Sequence, residues 1–138
     1  MPLPLERQNQ VIVERLQRTF DDLIAVYRFG STAQGTATRT SDADIAVLTR
    51  ERVAPERRFH LQEGLAAEIG CDVDLVDLAN ASPVMAIQVI ARGELLYDGD
   101  SDARGRFEDR AFGAYARLNE ERRGILERIA AEGTIYGR

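Results

Sequence analysis

The stretch Gly30 to Leu48, GSTAQGTATRTSDADIAVL, limits what this chain can fold into more than any other. It follows LIAVYRF, Leu23 to Phe29, an apolar run rich in β-favouring residues that reads as a strand buried on at least one face. Gly30 ends the run. A glycine there lets the chain turn sharply and brings backbone N–H groups near a ligand, and Ser31 adds a hydroxyl that can donate to a phosphate oxygen. Thr36 to Ser41 has no apolar residue but Ala37 and reads as a loop, after which Asp44 to Leu48 resumes a strand pattern. Asp42 and Asp44 therefore stand at the start of that strand.

Side chains alternate along a strand, so Asp42 and Asp44 point the same way, roughly 6 to 7 Å apart. A third carboxylate is expected from Gly70 to Leu78, GCDVDLVDL. In a regular strand Asp72 and Asp74 share one face there and Asp77 takes the other. Asp74 is the first choice because it lies mid-run, and Asp72 is the second. If that third group joins them at about 5 Å, each pair repels by roughly 3 kcal/mol at an effective dielectric near 20, which cations relieve. Hard carboxylate oxygens beside a phosphate turn suit Mg²⁺. The stretch thus reads as a site for a nucleoside triphosphate and its metal ions.

These residues carry a family resemblance. Gly30, Ser31, Asp42, Asp44 and Asp74 resemble the GS-x10-DxD…D pattern of polymerase-β-type nucleotidyltransferases, and the context SDADIAVL is most similar to the minimal nucleotidyltransferase (MNT) group. The resemblance spans about residues 10 to 98. It implies an α/β (α+β) fold with a mixed sheet of about four strands flanked by helices. It also implies two Mg²⁺ ions held by Asp42, Asp44 and Asp74, with Asp74 acting on the attacking hydroxyl and Gly30 and Ser31 cradling ATP. Many members carry an arginine three residues after the serine, where this chain has Gln34; Arg28 and Arg39 are the candidates to replace that charge. MNT proteins of this length resemble the antitoxin half of HEPN/MNT toxin–antitoxin pairs. The resemblance therefore implies transfer of AMP from ATP to a tyrosine of a HEPN ribonuclease toxin. The alternatives are an antitoxin acting by binding alone and a nucleotidyltransferase for a small aminoglycoside-type substrate.

Patterning around the site gives the element order. Leu5, Ile12, Leu16 and Phe20 recur at helical spacing, and Pro55 opens a second helix to Ile69 with Leu61, Leu65 and Ile69 as its stripe and Phe59 near it. Gly70 suits a helix stop. Ser82-Pro83 starts a third helix whose segment Val84 to Ala91 is nearly all apolar and expected to be well buried, and Glu94 to Tyr97 is a short strand. From Asp102 onward the chain reads as helix, with Phe107, Ala111, Tyr115, Leu118, Ile125 and Ile129 as its stripe and a kink allowed at Gly124. The expected division is a nucleotidyltransferase core at 1–100 and a helix and tail at 101–138 that packs on the core or on a partner, with Tyr136 on its end.

With 138 residues the chain fits one domain, and its net charge of −5 argues against stable binding to nucleic acid. All 18 basic residues are arginine, which excludes a P-loop lysine and Schiff-base chemistry. The lone Cys71 reads as a small core residue and the lone His60 as a surface one. No apolar run reaches 18 residues and the first ten lack a signal-like core, so the expected location is cytoplasmic, away from membrane.

Overall fold

Strand Leu23–Phe29 (β1) occupies an interior position of a four-stranded sheet among the residues described in the computed structural model, 3–30 and 42–132. Helix α1 (Leu5–Thr19) precedes it. Strand β2 (Ala43–Thr49), helix α2 (Pro55–Ile69), strand β3 (Val73–Asp77), a 3-10 turn (Leu78–Asn80), helix α3 (Pro83–Arg92), strand β4 (Glu94–Asp98) and helix α4 (Ser101–Glu132) follow. The strand order is β3-β2-β1-β4. β1 pairs antiparallel with β2 and β4, whereas β2 and β3 run parallel because α2 carries the chain back between them. This is the mixed sheet with flanking helices expected above.

Alternation along the strands divides the core in two. Val26, Ile45, Val47 and Leu75 face α1 and α2, packing on Ile12, Leu16, Leu61, Leu65 and Ile69. Ala25, Tyr27, Ala46 and Leu48 face the other way, onto Ala86 and Val89 of α3 and Ala103 and Ala111 of α4. α2 ends on Gly70, whose φ of 83° places it in the left-handed region open to glycine. Ser82 caps α3 by accepting from Met85 N at 3.2 Å, with Pro83 in the first turn.

Several expectations change. Leu5 is exposed, and the position on the stripe with Ile12 and Leu16 belongs to Gln8, four residues before Ile12. Phe59 lies on the outer side of α2 and is exposed, since the stripe Leu61-Leu65-Ile69 already fills the inner face. α3 is one-sided rather than well buried: Ala86 and Val89 are covered, while Val84 is exposed, because sheet and α4 meet only one face of it. The 3-10 turn after β3 was not anticipated. α4 runs unbroken through Gly124. Its first half packs on α3 and β1, but Ile125 and Leu126 are 49% and 59% exposed, so among the described residues no apolar neighbour covers the second half. His60 is exposed, as expected. Arg39 and Tyr136 lie outside the described residues, as does Gln34.

Candidate active site

Strand β3 is regular, so its side chains alternate between the two faces without a break. Its parallel register against β2 runs without a shift from Ala43–Val73 to Val47–Asp77, and it sets Asp44 directly beside Asp74. Neighbouring strands lie about 4.8 Å apart, so the two side chains leave the same face from adjacent positions. That face is the one that Ala46 and Val76 share, toward α3. Asp77 points the other way. It is buried and accepts from Val53 N through Oδ2 at 3.0 Å, which ties the start of α2 to the sheet. Asp42 precedes β2 by one residue, and the main chain beside it is anchored by Ala43 N donating to Asp72 O at 2.8 Å.

Gly30 closes the site from β1. Its φ of 80° lies in the left-handed region, and a Cβ there would fall against Asp44 Oδ2, with Asp44 Cγ only 3.3 Å away. Both the conformation and the space demand glycine. Phe29 pairs with Asp44 across the β1–β2 ladder, so the turn and the carboxylate are neighbours by register as well as by contact. Ser31, the other half of the expected phosphate cradle, lies outside the described residues.

Electrostatics bring the same three aspartates together. Burial pushes the Asp44 carboxyl above its usual range; the Asp74 and Asp42 carboxylates push it further, and the Arg28 guanidinium opposes them. Of these two carboxylates Asp74 acts on Asp44 more strongly than Asp42 does. Asp42 and Asp74 are exposed and Asp44 is half-buried. Among the described residues no three His, Cys, Asp or Glu side chains are close enough to hold an ion as they stand. The three carboxylates therefore do not close into an ion-holding group as they stand, although Asp74 and Asp42 lie near enough to act on Asp44. The donor set still fits Mg²⁺: hard oxygens only, two on adjacent strands and a third two residues away.

Arg28 was underread from the sequence. Its side chain leaves the sheet on the α1 face, opposite Asp44, and is 1% exposed, so it is not a mobile phosphate arm. Nη1 donates to Asn9 Oδ1 at 2.8 Å and Nη2 to Gln8 Oε1 at 2.9 Å. The available signal was Gln8 at an inward helical position facing an arginine in an otherwise apolar strand. Cys71 is half-buried and its thiol is pushed up by burial, which suits a packing role better than a nucleophile.

Comparison with known proteins places the chain among relatives of the same fold. Residues 10–102 match the family described as Polymerase beta, Nucleotidyltransferase. The protein adenylyltransferase MntA of Shewanella oneidensis is 37% identical over 120 residues, covering 87% of this chain and 86% of that protein. A crystal structure of a toxin–antitoxin with AMP-PNP contains a chain that superposes with a TM-score of 0.79 at 35% identity, covering 88% of this chain and 98% of the other. The complex of a tri-AMPylated Shewanella oneidensis HEPN toxin with an MNT antitoxin gives a TM-score of 0.77 at 30% identity, covering 92% and 99%.

Proposed function

This chain belongs to the polymerase beta nucleotidyltransferase family, and on that basis we propose that it is an antitoxin that transfers AMP from ATP to a tyrosine hydroxyl of a partner HEPN ribonuclease toxin. The observation that carries the reading to this site is the register of Asp44 beside Asp74, with Gly30 packed on the Asp44 carboxylate. The similar MntA is itself a protein adenylyltransferase, and the similar MNT antitoxin is seen with a tri-AMPylated HEPN toxin.

Asp42, Asp44 and Asp74 would hold Mg²⁺. Bound there, the ions supply positive charge against the phosphates and the departing pyrophosphate. Gly30 lets the chain approach the triphosphate closely, and Ser31 donates its hydroxyl to a phosphate oxygen. The tyrosine oxygen forms a bond to the α-phosphorus as the bond to the bridging oxygen of pyrophosphate breaks. Asp74 is exposed and so able to meet an incoming hydroxyl; it takes the tyrosine proton. The acceptor is assigned to another protein because the similar MntA is a protein adenylyltransferase and the similar MNT antitoxin is seen with a tri-AMPylated HEPN toxin. The 1–100 core carries the chemistry, and the second half of α4, within 101–138, docks the toxin through Ile125 and Leu126. No helix among the described residues is long and apolar enough to cross a membrane, and we place the reaction in the cytoplasm.

The test is incubation of the purified chain with labelled ATP, Mg²⁺ and a HEPN ribonuclease chain from the same genome. Label should appear on a tyrosine of the HEPN chain, and a folded antitoxin that transfers none would overturn the assignment. Asp42→Asn/Asp44→Asn separates catalysis from occlusion in cells making the toxin: loss of protection is expected, whereas full protection would mean that binding alone silences it.

A further inference from the structure

Arg28 is the largest fully buried side chain of the described core, and its burial calls for a reason. Taking a charge out of water is costly unless it is paired and hydrogen-bonded, so core filling alone does not select arginine. Its surroundings are built for it. Gln8 and Asn9 each present an amide oxygen to one guanidinium nitrogen, and Gln8 is itself oriented by donating Nε2 to Leu3 O at 2.8 Å. Along β1, Arg28 stands two residues before Gly30, between Ile45 of β2 and Glu94 of β4. Gly93 packs tightly there, since a Cβ on it would lie 3.0 Å from Arg28 O and 3.3 Å from Phe29 Cβ. A fixed cation thus lies behind the end of the strand that leads into the phosphate turn, across the sheet from Asp44.

We propose that Arg28 is a positioning residue for nucleotide binding: clamped by Gln8 and Asn9, its guanidinium fixes the end of β1 and places a positive charge behind the turn that receives the triphosphate. The proposal rests on the site assigned above. It accounts for a polar α1 position in an otherwise apolar stripe, because Gln8 is there to hold the arginine. It also makes α1, which has no side chain at the carboxylates, part of the binding apparatus.

The test is binding of a fluorescent ATP analogue with Mg²⁺ to the isolated chain, measured beside thermal melting. Arg28→Met leaves the Gln8 and Asn9 amide oxygens unpaired, so it should melt a few degrees below wild type and, where folded, bind about tenfold more weakly, whereas Arg28→Lys, which keeps the charge, should stay within about threefold. Wild-type affinity in Arg28→Met would reduce Arg28 to core filling, and equal losses in both variants would remove the charge from the argument. If Arg28→Met does not fold, Asn9→Leu decides: among the described residues its side-chain partner is Arg28, so about threefold weaker binding supports the proposal and unchanged binding overturns it. A wild-type chain that binds no analogue removes the site itself, an outcome distinct from any of these.

Discussion

Gly30→Ala perturbs the candidate site through backbone and space at once. At φ 80° any residue with a Cβ is strained by about 1–2 kcal/mol. The added methyl also falls against the Asp44 carboxylate, with Cγ at 3.3 Å and Cβ at 3.6 Å, so Asp44 must swing aside. Overpacking in a rigid core costs about 1–3 kcal/mol, but this carboxylate is half-buried and has room to move, which places the total near 2–3 kcal/mol. For a domain of this size that lowers the melting temperature by about 6–12 °C. The larger effect is on chemistry. Displacing Asp44 by about 1 Å costs roughly a hundredfold in transfer rate, more than the stability loss would produce at a temperature where the variant is folded. The assay is AMP transfer to the HEPN chain at 15 °C, with chemical denaturation of the same preparations. A variant destabilised as expected but active within about threefold of wild type would refute the idea that the turn sets the position of Asp44.

Asp44 should oppose folding while enabling function. Its carboxyl is held above the usual range by burial and by Asp74 and Asp42, so the folded chain binds a proton more readily than the unfolded one. The associated stability is present below the unfolded value and lost as pH rises through the folded one. Asp44→Asn should therefore raise the melting temperature of the metal-free chain at pH 7, flatten its dependence on pH across the acid range and abolish transfer; a fall in melting temperature at pH 7 would contradict this. On α4, Ile125→Asp with Leu126→Asp should change monomer stability by no more than about 0.5 kcal/mol, because both are exposed, and weaken HEPN binding at least about tenfold in calorimetry.

What the sequence made legible follows from which forces are local. β1 and α2 are found at their anticipated bounds because Gly30, Pro55 and Gly70 punctuate them at the backbone level. Period-two alternation separates Asp74 from Asp77, and the bond from Val53 N to Asp77 confirms the inward side. Gln8 was hidden because a polar residue on a helical stripe looks like an interruption until its partner is known, and that partner, Arg28, is 20 residues away. Val84 was misjudged for the converse reason: composition says that α3 is apolar, but only tertiary contact says how many of its faces are met. Whether the carboxylates close into an ion-holding group was also beyond reach, since strand register fixes Asp44 beside Asp74 but not the side-chain rotamers.

The central claim is that Asp42, Asp44 and Asp74 act as one divalent-cation site beside the Gly30 turn. Anomalous diffraction from crystals grown with Mn²⁺ and a non-hydrolysable ATP analogue measures it directly. The account predicts Mn²⁺ peaks at about 2.1–2.2 Å from carboxylate oxygens of Asp42 and Asp44, with Asp74 turned in to complete the site and the triphosphate against Gly30. Peaks held by Asp72 in place of Asp74, or a nucleotide bound with no cation between these strands, would contradict it.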